Sequence, residues 1–188
     1  FDAQGYKKIY GSSTASFKCL NQQHVYSIKS DFPVNPIMEE KKLEIIKSFV
    51  KKDAQVISVN CGIGLLELSL DNDVVAIDEK NYHIKDAKDN AQFLRKDNVT
   101  FICKNVDEAV VNNCKKQHFN TMIIRSEGLS DKIRESIFIS RIEDLIYVSS
   151  HPSALVKDLE ILKKYYHIQS ITPVDTHPNG AKFDTIVY

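Results

Sequence analysis

The stretch Cys61-Gly62-Ile63-Gly64 follows the β-branched run Val56–Val59 and precedes the apolar run Leu65–Leu70. Glycines between a strand and a helix allow a tight turn and let backbone amides come close to a ligand. Asp78 stands 14 residues after Gly64 and closes the next β-branched run. An acidic side chain there can accept hydrogen bonds from both hydroxyls of a ribose. Together they suit recognition of a nucleoside-bearing cofactor. A plain strand-to-helix turn followed by a surface aspartate would give the same spacing, so the neighbouring elements decide between the two.

From Gln55 onward, β-branched runs alternate with helical patterns, as in parallel strands joined by crossover helices. The runs predict strands at Val56–Val59, Val74–Ile77, Val99–Cys103, Thr121–Ile124, Leu145–Ser149, Ile168–Pro173 and Phe183–Val187. The last two flank the turn-rich segment from Val174 to Gly180 and should pair as an antiparallel hairpin. A seven-stranded mixed α/β sheet ending in such a hairpin is the Rossmann-like class I S-adenosylmethionine-dependent methyltransferase fold, whereas a dinucleotide-binding sheet is parallel throughout. Asn35-Pro36 predicts a helix start, an N-cap followed by proline, with Glu39 and Glu40 in the first turn and Ile45, Ile46, Phe49 and Val50 on the buried stripe. Ile84, Ala87, Ala91 and Leu94 mark a second core-facing helix, and Leu155, Leu159 and Leu162 a later one. Leu65–Leu70 reads as a short apolar helix. Residues 1–35 form an extension, with a β-hairpin between Ile9 and Pro33, and residues 36–188 form the main domain.

The 188 residues, 43% of them hydrophobic, suffice for one substantial core. Cys19, Cys61, Cys103 and Cys114 are widely spaced with no C-x-x-C pair, which predicts reduced thiols and no zinc or other metal site. No apolar run has the length of a membrane span. The chain opens on Phe1 without a signal-peptide pattern, reads as a mature form or fragment, and is expected to be intracellular, organelles included. Lys plus Arg equal Asp plus Glu at 25 each, which argues against strong stand-alone binding to phosphate backbones. The pairs Lys7-Lys8, Lys41-Lys42, Lys51-Lys52, Lys115-Lys116 and Lys163-Lys164 are read as solvated helix surfaces and ends rather than one patch.

Several further fragments occur in a fixed order. They are Ile9-Tyr10-Gly11, Tyr26-Ser27-Ile28, Phe32-Pro33-Val34-Asn35, Cys61-Gly62-Ile63-Gly64, Asn98-Val99-Thr100-Phe101-Ile102, Tyr147-Val148-Ser149-Ser150-His151-Pro152, Leu155-Val156-Lys157-Asp158-Leu159, Pro173-Val174-Asp175 and Asp184-Thr185. This collinear set resembles the RNA uracil-C5 (5-methyluridine) methyltransferases over nearly everything after Ile9. The family's N-terminal oligonucleotide-binding barrel and most of its central domain have no counterpart in these residues.

The resemblance implies a reaction in which a cysteine thiolate adds to C6 of uracil, C5 takes the methyl group from S-adenosylmethionine, and a glutamate removes the C5 proton. The nucleophile position is Ser150, whose hydroxyl is a far poorer nucleophile than a thiol. His151 is read as a surface loop residue rather than its base. The base position is Asp184, one methylene shorter than glutamate. The family's D-P-P-R-x-G-L loop reads Arg125-Ser126-Glu127-Gly128-Leu129, so a carboxylate facing the cofactor becomes a guanidinium. The cofactor positions implied are Asn35, Cys61, Gly62, Gly64, Asp78 and Asn105. Asn105 replaces an acid, Ser58 replaces the aspartate of the first strand, and Pro33 replaces a glutamine.

The expectation is a pseudoenzyme: a methyltransferase-like protein with Ser150, Asp184 and Arg125 vestigial, and with weak or no S-adenosylmethionine binding. It would be kept as a structural or assembly subunit of a larger, RNA-containing complex, with protein partners and no membrane. The competing expectation is an active S-adenosylmethionine-dependent RNA methyltransferase of altered chemistry, for which Cys61-Gly62-Ile63-Gly64 and Asp78 speak.

Overall fold

The structure, a computed structural model, describes residues 9–188. The Lys7-Lys8 pair and the first eight residues of the expected extension lie outside them. In chain order the elements are β1 (Thr14–Cys19), β2 (Gln22–Ser27), α1 (Pro36–Phe49), β3 (Val56–Val59), β4 (Val74–Asp78), α2 (Asn81–Leu94), β5 (Val99–Cys103), α3 (Val106–Lys116), β6 (Thr121–Arg125), α4 (Asp131–Ile139), β7 (Asp144–Ser149), α5 (Pro152–Leu162), β8 (Ile171–Val174) and β9 (Asp184–Val187). A single 3-10 turn, Glu67–Ser69, lies between β3 and β4.

Seven strands form one sheet in the order β5-β4-β3-β6-β7-β9-β8. The strands from β3 to β7 are mutually parallel, and β9 runs antiparallel to both β7 and β8. This is the expected mixed sheet with a C-terminal antiparallel hairpin. Strand alternation sorts the core into two layers. Val56, Ala76, Ile123 and Ile186 face α1 and α2, while Ile57, Ile77, Ile124 and Val187 face α3, α4 and α5. Pro173 lies in β8 at the sheet edge, where a residue without an N–H costs no ladder bond on the open side.

Helix α1 begins as its sequence predicts: Asn35 Oδ1 accepts from the Met38 amide at 3.2 Å, and Pro36 fills the first helical position. The segment Leu65–Leu70 departs from the sequence reading, since only Glu67–Ser69 is helical. All six of its residues are buried, so no solvated face favours a longer helix, and side chains from elsewhere take its carbonyls. Lys47 Nζ donates to Ser69 O at 2.6 Å, Gln22 Nε2 to Leu68 O at 3.1 Å, and Asn98 Nδ2 to Leu70 O at 3.1 Å. The strand expected from Ile168 begins at Ile171, because the Gln169 and Ser170 amides both donate to Tyr188 O at 2.7 and 3.0 Å and turn the chain there.

The expected hairpin is β1 with β2, antiparallel about Leu20 and Asn21, which both adopt positive φ (50° and 61°). Positive φ at both central residues is the two-residue turn that matches strand twist. The hairpin is bolted to α2. Asn90 Oδ1 accepts from the Val25 amide at 2.8 Å and its Nδ2 donates to Val25 O at 2.9 Å, while Asp86 Oδ2 accepts from the Ser27 amide at 2.7 Å and from Ser30 Oγ at 2.6 Å.

His24 in β2 is fully buried, and neither ring nitrogen has a hydrogen-bond partner among the described residues. Burial disfavours the imidazolium and holds the His24 pKa below the usual histidine value. The folded protein thus keeps His24 neutral, whereas the unfolded chain takes up a proton as pH falls below about 6.5. Stability from this residue is present above that pH and is lost as pH falls toward the folded pKa, with a slope of at most about 1.4 kcal/mol per pH unit. Urea unfolding at pH 7.5 and 5.5 is expected to show a smaller pH loss for His24→Phe than for the parent. Equal losses would remove His24 as the cause.

Candidate functional site

The carboxyl ends of the parallel strands and the loop before α1 border a cleft of about 250 Å³ lined by Asp31, Pro33, Asn60, Gly62, Ile63 and Arg125, among others. The topology places it there, since parallel strands joined by crossover helices gather their outgoing loops at one end. Asn60, Gly62 and Gly64 all have positive φ (58°, 58° and 78°), so the chain reverses tightly after β3. A Cβ on Gly62 would meet nothing within 4 Å, whereas one on Gly64 would lie 2.8 Å from the buried Phe101 ring.

Asp78 ends β4 against this turn. Its Oδ2 accepts from the Gly62 amide at 2.9 Å and its Oδ1 from the Lys80 amide at 2.8 Å, and His83 Nδ1 lies 3.3 Å from Oδ1. Burial works against its charge, but the His83 and amide hydrogen bonds prevail and hold the carboxyl below the usual aspartate value. On the other edge of His83, Nε2 lies 3.3 Å from both the Asp31 amide and the Asp31 carboxylate. Lys80 Nζ also pairs with the Asp31 carboxylate. The segment after the hairpin is therefore latched to the start of α2 at the cleft rim.

The floor of the cleft is a charge network that no local sequence pattern announces. Arg125, at the end of β6, pairs through Nη2 with Glu67 Oε1 and donates to Ser58 Oγ at 2.9 Å, and its Nε donates to Asn60 O at 3.1 Å. Ser58 Oγ donates to Glu67 Oε1 at 2.6 Å, and Asn60 Nδ2 returns a bond to Arg125 O at 2.7 Å. Glu67 has no exposed surface, and its Oε2 has no partner among the described residues. Burial disfavours the Arg125 cation, yet the Glu67 charge raises its pKa above the usual arginine value, so the guanidinium stays charged. The Cys61 thiol is pushed well above the usual cysteine range by burial and by Glu67, and a thiolate nucleophile is not available there.

The sheet brings two of the other sequence-assigned residues to one edge. Ser149 in β7 is opposite Thr185 in β9, so Ser150 and Asp184 follow one step beyond. Ser150 Oγ lies 3.4 Å from Glu127 Oε1, and His151 Nδ1 contacts Ser153 Oγ at 3.2 Å rather than Ser150. Asp184 is buried and its Oδ2 is held by Lys42 Nζ at 2.8 Å and Thr176 Oγ1 at 3.1 Å; the same Lys42 Nζ is 2.6 Å from Glu39. Asn35 and Asn105 act as helix N-caps: Asn105 Oδ1 accepts from the Glu108 amide at 3.2 Å, and its Nδ2 donates to Glu79 Oε1 at 2.8 Å. The residues missed by sequence reasoning are Glu67, Lys42, His83 and Asp31. The unusual signal in the chain was a glutamate inside the apolar run Leu65–Leu70.

The strand order, the antiparallel β9 and the glycine turn at the carboxyl end of β3 define the fold of the S-adenosylmethionine-dependent methyltransferases. The solved tRNA (uracil-54, C5)-methyltransferase of Pyrococcus abyssi, determined with S-adenosyl-L-homocysteine, superposes with a TM-score of 0.80 at 17% identity, covering 95% of this chain and 44% of that one. No protein-family model matches the chain. An uncharacterised RNA methyltransferase of Streptococcus agalactiae is 28% identical over 95% of the chain, and the 23S rRNA (uracil(1939)-C(5))-methyltransferase RlmD of Pasteurella multocida is 26% identical over 86%. The chain is thus similar in sequence to RNA methyltransferases, a uracil-C5 enzyme among them, and spans 42% and 39% of the length of those two relatives. Among the described residues there is no group of metal-ligating side chains, and no helix is long and apolar enough to cross a membrane.

Proposed function

We propose that this RNA methyltransferase-like chain has lost methyl transfer and serves as a folded subunit or assembly factor of a larger complex that contains RNA. The observation that supports the reading is Arg125. Its guanidinium, tied to Glu67 and Ser58, lies in the floor of the cleft where a cationic sulfonium ligand would need negative charge. The Gly62 turn and Asp78 suit the ribose end of S-adenosylmethionine, but for its charged end the lining carboxylates Asp31 and Glu39 are already paired with Lys80 and Lys42, and Arg125 adds a cation among them. The chemistry positions agree with that mismatch. Ser150 meets the Glu127 carboxylate only at 3.4 Å and its hydroxyl is a far weaker nucleophile than a thiolate, while the Asp184 carboxylate is already engaged by Lys42 and Thr176. In this reading residues 1–35 are an extension and residues 36–188 the methyltransferase-like domain, in line with the hairpin forming a sheet of its own.

Calorimetry with S-adenosylmethionine tests the cleft directly. The expected result is no measurable heat or a dissociation constant weaker than about 100 µM, less than roughly 5.5 kcal/mol of binding. A low-micromolar constant would favour the second reading, an active enzyme of altered chemistry, which the intact glycine turn and Asp78 support. A separate trial concerns the nucleophile: Ser150→Cys, incubated with 5-fluorouridine RNA and the cofactor, is expected to form no covalent adduct. Catalytic groups fail as a unit, and restoring the thiol leaves Arg125 and the caged Asp184 unchanged. An adduct visible on a denaturing gel would mean that the pocket is intact.

A further inference from the structure

A second surface lies at the opposite end of the sheet from the cleft. The cleft sits beyond the carboxyl ends of the parallel strands, whereas Glu143 and Asp144 mark the amino end of β7. A strand of six residues at about 3.3 Å each separates the two ends by roughly 17–20 Å. At the far end the last residues of α4 and the chain leaving α5 border a groove of about 550 Å³.

Its lining combines rings and cations. Phe138 and Tyr165 stand with ring centroids 4.3 Å apart, and Tyr165 keeps 68% of its surface exposed despite its size. Tyr166 is held in place by its hydroxyl, which donates to Ile142 O at 2.6 Å. Arg141, set at the lip by a left-handed backbone (φ 53°), and His167 complete the rim, and Lys163 lines the smaller cavity that continues from it. Arg141, Lys163 and the adjacent Lys164 are exposed and have no ion-pair or hydrogen-bond partner for their side chains among the described residues. Glu143 is the only acid among the groove's lining residues, and it is 3.4 Å from Asn120 Nδ2. Elsewhere the fold ties cations down, as with Lys42, Lys80, Lys96 and Arg134. An overall charge of zero is thus compatible with a local basic and aromatic surface.

We infer that this groove binds single-stranded RNA, with a base stacked on Tyr165 and the flanking phosphates met by Arg141, Lys163 and Lys164. An exposed ring with unpaired cations in its neighbourhood is what an unpaired strand requires, since each base offers a π-face and each phosphate a negative charge. A duplex hides its base faces and cannot use the ring. The groove is distinct from the cleft, and the inference holds whether or not S-adenosylmethionine binds.

Fluorescence anisotropy of a labelled oligouridylate with the whole chain tests it. The expected result is saturable binding at low salt, with a log–log salt slope of about −2 for three phosphate contacts. Tyr165→Ala is expected to weaken binding roughly fivefold or more, as loss of one stacked base does, and Arg141→Glu at least as much. Lys85→Ala with Lys88→Ala, on the outer face of α2, should leave affinity unchanged. Because the altered side chains are exposed, thermal melts of all variants should overlay the parent and separate binding loss from unfolding. Absence of saturable binding overturns the proposal, as does parental affinity in both groove variants, or a duplex of the same length bound as tightly as the single strand. None of these outcomes depends on the calorimetry that tests the cleft.

Discussion

Replacing Arg125 with alanine is expected to destabilise the fold by about 3–5 kcal/mol, the cost of stranding one member of a buried ion pair. Glu67 has no exposed surface, and Arg125 supplies it with a charged partner. Without the guanidinium, Glu67 retains Ser58 Oγ as its donor and must either bury an uncompensated charge or take up a proton. For a chain of this size the loss corresponds to a fall in Tm on the order of 10 °C. The paired substitution Arg125→Met with Glu67→Leu removes both charges and should recover most of that loss. A single Arg125→Ala within about 1 kcal/mol of the parent in urea unfolding would show that the pair is not the buried support described above.

The second large effect is expected at Asp158 in α5. Its Oδ2 accepts from the Leu129 amide at 2.9 Å and from Tyr147 Oη at 2.8 Å, while Oδ1 accepts from Arg134 Nη1 at 2.8 Å. One buried carboxylate thus joins α5, the core of β7, the start of α4 and the short loop after β6. Asp158→Ala leaves a backbone amide and a phenol without partners in the interior, each costing about 1–3 kcal/mol, so a total near 3 kcal/mol or more is expected. Tyr147→Phe removes only one donor and should cost about 1 kcal/mol, because the carboxylate keeps its other two bonds. Equal losses for the two variants would mean that Asp158 acts through Tyr147 alone. Hydrogen exchange at Leu129 provides an independent readout, with protection expected to drop in Asp158→Ala and persist in Tyr147→Phe.

The fold was legible wherever a segment's neighbours in sequence are also its neighbours in space. Strands β3 and β5 fall on the runs Val56–Val59 and Val99–Cys103, and the Asn35-Pro36 start of α1 depends on atoms three residues apart. Helices α3 and α4 leave a fainter trace: α3 buries only Val106, Ala109 and Val110, and α4 only Ile133, Ser136 and Ile137, too little apolar stripe to impose a period. The candidate site was legible in its positions and not in its partners. Ser58, Glu67 and Arg125 are joined across 67 residues of sequence, and Lys42 meets Asp184 across 142. Charge pairing at that range has no spacing rule, so Arg125 read alone is an unmet cation and Lys42 read alone is one of a pair of surface lysines. Glu67 shows the general difficulty. Its place in an apolar run becomes intelligible only when the residue that neutralises it is folded beside it.

The two glycines of Gly62-Ile63-Gly64 stand under different constraints. A methyl group on Gly64 would have to displace the Phe101 ring in a closed core, whereas one on Gly62 would enter open space and bear only the strain of a left-handed backbone, about 1 kcal/mol. Among descendants screened only for a well-folded chain, position 64 would stay glycine while position 62 would drift toward asparagine or aspartate, which tolerate that backbone. Gly64 would thus persist as a fossil of ancestry preserved by packing, and of the pair only Gly62 would record whether a ligand still presses against the turn.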